Sequence, residues 1–289
     1  MPRGLDHIVH AVHDLDAAAA LYERLGFTVG ARNRHPWGTH NRIVQLPGFY
    51  IELLAVGERD KIVAPGPRTF SFGAFHRDFL ARHEGLAMLL LEGRDGPADA
   101  AAFRTAGIGD FAVFDFSREG RRPDGAAVTL AFSLAFARDP KAPDIGFATC
   151  HHHVPESFWN PAVQSHANTA TGVAGVVMVA DNPADHHIFL SALVGRRELL
   201  ATSSGISVST PRGDIQVMDP AAFAQHFGVG APDVAHGARL AALRIAVQDV
   251  GAAVKRLQAA DVPATMRMGR IIVGPQTAMG ATLVLAPAG

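Results

Sequence analysis

Cysteine is nearly absent: the chain of 289 residues has one, Cys150. That excludes an internal disulfide and any zinc site built from several thiolates, and it fits a reducing compartment. Neither charge is in excess, since 26 Lys and Arg stand against 27 Asp and Glu, a formal net charge of -1. Without a basic face, neither a nucleic-acid partner nor an anionic membrane surface is expected. Aromatics are sparse at 7%, and they form no stripe with basic residues. No apolar run approaches the roughly 20 residues of a membrane span. The opening MPRGLDHIVHAVHDLD interrupts its apolar stretch with charges and histidines, so it does not read as a secretion signal. A soluble, cytoplasmic protein is expected. What remains is ordinary globular composition, 48% hydrophobic and 18% charged, over a length that suits two domains.

Histidine is the abundant exception, with 15 in the chain, and position must decide what each one does. The positions fall into a repeat. LDHIVHAV (5–12) reads as a strand, Asp14 as a helix N-cap, DAAAALYERL as an amphipathic helix and Gly26 as its stop. FTVGARNR, HNRIVQL and FYIELLAV then read as three strands, which makes a βαβββ unit. Asp95 and Gly107 bracket a second helix with the spacing of Asp14 and Gly26, and Asp249 and Asp261 bracket a fourth. A third unit starts near Val173, with Asp181 as cap and Gly195 as stop. One such unit leaves a sheet face wet, so units must pair. The expected fold is α+β: four βαβββ units paired into two domains, 1–155 and 173–289, with 156–172 as linker. Pro123-Asp124-Gly125 reads as a hairpin turn. Its neighbours Arg121 and Arg122, with Asp124, read as a solvated hairpin rather than an anion site.

The opening LDHIVHAVHDLDAAAALYERLGF, together with HPWGTHNRIVQLPGFYIELL (35–54) and CHHHVPESFW (150–159), resembles the vicinal oxygen chelate superfamily. Within it, the N-terminal half is similar to bacterial glyoxalase-like proteins, most without an assigned function. The resemblance implies a cupped sheet around a divalent metal (Zn, Mn, Ni or Fe), with a cup that holds none as the alternative. It places the first-strand ligand at His7, the fourth-strand ligand at Glu52 and a third at His152. The HPxGTxN pattern falls on His35, Pro36, Gly38, Thr39 and Asn41; by their own chemistry His35, Thr39 and Asn41 are either turn residues or contacts to a polar substrate. The activity implied is that of a lyase, isomerase or dioxygenase on a small oxygenated metabolite chelated through adjacent oxygens. Glu52 is the candidate catalytic residue, acting as general base where it is not a ligand. The alternative is a non-catalytic, sequestering binder of small molecules on the same fold. A homodimer stays open.

The residues also speak for themselves. Leu5, His7 and Val9 share a face by period two, which would bury His7. It is either a core histidine satisfied by a backbone carbonyl or a ligand. Counted along the repeat, its counterparts are Met88, Ala174 and Ala242, so the fold itself needs no histidine there. Glu52, between Ile51 and Leu53, has Val217 and Val284 as counterparts by the same counting. A carboxylate on an apolar face is costly unless paired, protonated or metal-bound. In the second unit Cys150 is the counted counterpart, with His152 pointing the same way, so His152 is the preferred donor and Cys150 the fallback. Two histidines and a carboxylate with open positions form a facial arrangement suited to several divalent metals. Phe158 and Trp159 are either core or a roof over the cup. No counted position in the C-terminal half offers a donor, so that domain is expected to bind no metal and to serve packing, closure or dimerisation.

Overall fold

The computed structural model describes residues 1–121 and 127–288. The turn Pro123-Asp124-Gly125 and Arg122 therefore lie outside the described residues, as does the side chain of Arg121. The first sheet carries β1 (Leu5–Ala11), β2 (Asn33–Arg34), β3 (Thr39–Leu46), β4 (Phe49–Val56), β5 (Gly85–Glu92), β6 (Phe114–Arg121), β7 (Ala127–Ala137) and β8 (Gly146–His152). Its helices are α1 (Leu15–Arg24), α2 (Phe72–Leu80), α3 (Gly96–Thr105) and the short α4 (Pro155–Phe158). The second sheet carries β9 (Ala170–Val179), β10 (Leu200–Thr202), β11 (Gly205–Ser209), β12 (Asp214–Met218), β13 (Arg239–Val247), β14 (Thr265–Arg267), β15 (Arg270–Val273) and β16 (Thr282–Pro287). Its helices are α5 (His187–Val194), α6 (Pro220–Phe227) and α7 (Val250–Ala259). Both are eight-stranded, in the orders β2-β3-β4-β1-β5-β8-β7-β6 and β10-β11-β12-β9-β13-β16-β15-β14. Four βαβββ units thus pair, first strand against first strand, into two sheets. Among the described residues no helix is long and apolar enough to cross a membrane.

The aspartates expected as caps act as such. Asp14 accepts the N–H groups of Asp16 and Ala17, Asp95 that of Ala98, and Asp249 that of Ala252. Besides the short α4, two helices fall outside the repeat, α2 and α6, each joining one unit to the next. Both were marked in the chain: Ser71 caps α2, and Asp219-Pro220 opens α6. The segment FTVGARNR supplies only the two residues of β2, and the third-unit helix begins as a 3-10 turn at Pro183. The segment 156–172 is tied down. Phe158 is buried, and Asn168, fully buried, donates to the Leu25 carbonyl at 2.9 Å.

The convex faces of both sheets, with α1, α3, α5 and α7, share one apolar core that runs from Ile8, Val44 and Phe147 to Phe189, Val176 and Leu243. Each such side chain contributes about 1.5–3 kcal/mol by burial. The concave face of the first sheet forms a separate cluster around Val9, Tyr50, Leu54, Met88, Phe132, Phe136 and Cys150. That sheet curls until its edges meet: Trp37 packs on Phe114 and Phe116 at 5.1 Å, and Arg118 Nη1 donates to Asn33 Oδ1 at 3.1 Å. In the second cup Phe223 and Phe227 of α6 pack against Val177, Val179, Ile272 and Val284, as Phe72 and Phe79 of α2 pack into the first.

Strand register corrects the counted repeat. Val9 lies opposite Glu52, Leu90 opposite Ala148, Val177 opposite Gln216 and Arg244 opposite Val284. The structural counterparts of Glu52 are therefore Ala148, Gln216 and Val284, not Cys150 and Val217. Those of His7 are Met88, Gly175 and Ala242, not Ala174. The third unit is offset because counting from a turn glycine ignores loop length. The expected face of Leu5 also changes. The pairing of β1 with β5 slips between Leu5 and His7, which leaves Asp6 as an extra residue. Leu5 and Ile8 accordingly pack in the convex core while His7 faces the cup. The same slip recurs between Leu240 and Ala242, so the bulge belongs to the fold and the aspartate to this unit alone.

Candidate active site in the N-terminal cup

The bulge in β1 brings Asp6 to the same side as His7, where alternation would have put it on the other. Its Oδ1 lies 2.6 Å from His7 Nδ1, and its Oδ2 lies 3.2 Å from His152 Nε2. Burial works to raise the Asp6 pKa, but the hydrogen bonds from His152 and His7 and their charge outweigh it, leaving Asp6 at about 2. Asp6 is thus a carboxylate that accepts from both rings. A neutral His7 held by Nδ1–H keeps the Nε2 lone pair for a metal or a substrate proton. His7 also stacks on Tyr50, with ring centroids 4.1 Å apart. Its counterpart Met88 lies over Gly146, where an added Cβ would come within 2.6 Å of the Met88 side chain. The two units thus exchange ring against ring for thioether against glycine.

On the neighbouring strand Glu52 is buried, and Asn41 Nδ2 donates to its Oε1 at 2.5 Å. Burial pushes its pKa up, and the charge of His7, the Asn41 amide and Arg118 pull it back. The same Asn41 amide lies 3.3 Å from His35 Nε2, which must therefore accept, so His35 Nδ1 donates to Thr39 Oγ1 at 2.8 Å. Burial, with the nearby charge of Arg118, holds His35 neutral down to about pH 3. Gly38, at φ +87°, makes the turn that sets this triad, and a Cβ there would collide with the Glu58 carbonyl. Asn33 Nδ2 donates to Asn41 Oδ1 at 3.1 Å and links the network to Arg118.

These groups surround a small cavity of about 40 Å³, lined by His7, His35, Asn41, Tyr50, Glu52 and Arg118 among aromatic side chains. Of the residues expected to meet substrate, His35 and Asn41 reach this cavity, while Thr39 is fully buried behind His35. Phe158 roofs the cavity, and Trp159 stacks on His152 at 5.6 Å. Of the expected ligands, His7 and Glu52 line one space, and His152 is joined to His7 through Asp6. Among the described residues, the donor atoms of Asp6, His7 and Cys150 lie within 4.8 Å of one another. Glu52 and His152 are not part of that cluster. The carbonyl-satisfied core histidine weighed for His7 exists three residues on: His10 is fully buried, accepts from the Tyr22 hydroxyl and donates to the Met279 carbonyl at 3.0 Å.

Two residues of the site escaped the sequence. Alternation from His7 would put Asp6 on the opposite face, because it assumes no bulge. The signal for Arg118 is Phe-x-Phe-x-Arg, which places it on the face of Phe114 and Phe116.

Residues 5–194 match the glyoxalase-like domain family. The chain belongs to this family. No curated protein matches the sequence. Among solved structures, a hypothetical protein from Staphylococcus aureus aligns over 100% of both chains at 12% identity and a TM-score of 0.66. A mutant 4-hydroxymandelate synthase from Streptomyces coelicolor aligns over 100% of this chain and 94% of its own, at 14% identity and a TM-score of 0.59. A xylose isomerase-like TIM barrel/4-hydroxyphenylpyruvate dioxygenase fusion protein aligns over 100% of this chain and 50% of its own, at 15% and 0.52. At such identities the likeness is one of fold: the paired units of the vicinal oxygen chelate architecture. Of the four positions that this symmetry makes equivalent in the cup, His7 and Glu52 carry donors, and Met88 and Ala148 do not. The metal implied by the family has a partial fit here. His7 Nε2 is left for it by the Asp6 contact, Glu52 supplies charge, and His152 Nδ1 is buried without a hydrogen-bond partner.

Proposed function

We propose that the N-terminal cup is the active site of a metal-dependent lyase or isomerase acting on a small oxygenated metabolite. The observation that carries this reading is the Asp6–His7 contact at 2.6 Å beside the buried Glu52. A carboxylate on one ring nitrogen of a histidine fixes the tautomer and makes the other nitrogen a better donor. His7, through Nε2, and Glu52, which line the same cavity, would hold a divalent cation, while His152 is engaged with Asp6. Such an ion supplies Lewis-acid polarisation of a chelating pair of substrate oxygens.

The chain's own groups then do the rest. The aromatic walls exclude water, which strengthens every charge interaction inside. Asn41 orients Glu52 and is itself held by Asn33 and His35. Where Glu52 is not bound to the cation, its buried carboxyl with a raised pKa is suited to take a proton from carbon beside a carbonyl and to return it. Cys150 is a weaker candidate donor than its neighbours, because burial, then the charges of Asp6 and Glu52, push its thiol well up and keep it protonated.

The test is the metal content of protein purified without chelators or a polyhistidine tag. About one divalent ion per chain in the wild type and none in His7→Ala supports the proposal. A metal-free wild type that still binds metabolites would favour the sequestering binder, which the aromatic lining of the cavity also suits.

A further inference from the structure

Next to this small cavity lies a wide groove of about 1050 Å³, between the β2–β3 edge, the β6–β7 hairpin and α4. Ile43, Arg118 and Phe158 line both spaces and form the wall between them. Of these three, only Arg118 carries charge. It is half-buried, and its Nη1 spends one donor on Asn33. A guanidinium has five donors in a planar fork. Among the described residues no carboxylate lies within 4.0 Å of it. On the groove side the other polar neighbours are the amides of Asn33, Gln45 and Asn160 with the Ser157 hydroxyl, and Glu119 and Glu156 are exposed; on the cavity side stand His7, His35, Tyr50 and Glu52. Desolvation lowers the Arg118 pKa against the countering charge of Glu52. A partly desolvated cation without an ion-pair partner is costly in the empty protein and gains most when an anion arrives.

We infer that Arg118 is the anchor for a carboxylate on the substrate, so that the molecule processed in this cup is a small carboxylic acid. This rests on the reading of the cup as a substrate site. The cavity of about 40 Å³ has room for a few atoms and not for a whole metabolite. The groove has the remaining room, with Leu130, Val128 and Trp159 to cover an apolar body. An acid bound by Arg118 at the wall would put its oxygenated end beside Glu52 and its body in the groove. Arg118 reaches Glu52 through two amides, Asn33 and Asn41, so anchor and base are held in one hydrogen-bonded frame. Bidentate geometry favours a planar carboxylate here.

The experiment uses the full chain, stripped of metal with a chelator, titrated calorimetrically with acetate, pyruvate and benzoate. Each acid is compared with its neutral amide and with inorganic phosphate. At least one acid is expected to bind about tenfold or more tighter than its amide, and more tightly than phosphate. Arg118→Gln should abolish that preference, and Arg118→Lys, which keeps the charge without the fork, should retain part of it. If Arg118→Gln does not fold, Asn33→Ala, which frees the guanidinium, should lower the preference several-fold. The inference is overturned if no acid outbinds its amide, if phosphate is favoured, or if the preference survives in the folded variants. Acid binding by a chain that never carries metal would sink the metal-dependent reading and leave Arg118 in its role. A metal-loaded chain indifferent to acids would do the reverse.

Discussion

Replacing Glu52 with Gln separates a ligand from a structural carboxylate. Glu52 is 6% exposed, and the hydrogen bond it accepts from Asn41 at 2.5 Å can be accepted equally by the Gln oxygen. Volume and shape are kept, so packing should not change. Arg42, on the strand beside Glu52, pairs with Asp16 at 3.0 Å. Burial raises the Glu52 pKa above its usual value of 4.5. For an acid raised in the folded state, stability is fully present below the unfolded pKa and is lost as pH rises through the folded one. Without metal, wild type and Glu52→Gln should therefore melt together near pH 4, and the variant should melt at or above wild type at pH 7.5. With metal at a hundred times its dissociation constant, linkage adds about 2.7 kcal/mol to the wild type. That corresponds to roughly 5–10 °C in melting temperature for a chain of this size. The assay is a thermal melt of both proteins with and without Mn²⁺, Ni²⁺ or Zn²⁺. Equal metal stabilisation in both removes Glu52 from the site. A variant that melts lower without metal makes Glu52 a structural residue and refutes the reasoning.

Asp6→Asn keeps the bulge and removes the carboxylate that orients His7, so divalent-metal affinity should fall by about 10–100-fold in a calorimetric titration. His76 is fully buried and held neutral down to about pH 4, chiefly by burial. For a base depressed in the folded state, stability is present above the unfolded pKa and lost as pH falls toward the folded one. His76 should thus contribute on the order of 3 kcal/mol of acid destabilisation between about pH 6.5 and 4. His76→Phe should flatten the denaturant midpoint over that window, and an unchanged slope would assign the acid sensitivity elsewhere. Phe223→Ala empties the C-terminal cup at a fully buried site and should cost about 3–5 kcal/mol in denaturant unfolding while leaving metal affinity unaltered.

Much of this architecture was legible in the chain because its signals are local. Asp14, Asp95 and Asp249 cap helices by contacts two or three residues long, and any fold containing those helices would show them. The pairing of units followed from the need to cover a sheet face. What was not legible depends on contacts far apart in sequence. The bulge at Asp6 exists because β1 must meet β5 in a curled sheet, and nothing near Asp6 announces the slip. Counting along the repeat consequently misplaced the counterparts of Glu52 in two units and of His7 in one, and it hid the carboxylate that most changes the chemistry of His7. The difference between the cups was equally remote. Both connecting helices send phenylalanines into a cup, Phe72 and Phe79 from α2 and Phe223 and Phe227 from α6, and it is the first cup that also receives His35, Asn41 and Arg118 from distant segments. Arg118 shows the opposite lesson: its alternation with Phe114 and Phe116 was visible, but its meaning required the far edge of the sheet, where Asn33 waits.

The most direct test of the central claim is an anomalous-scattering map from crystals grown with Mn²⁺ or Zn²⁺. The account predicts one strong peak in the N-terminal cup, bonded to His7 Nε2 and Glu52. A peak bonded to Cys150 and Asp6 instead, or no peak in that cup at saturating metal, would contradict it.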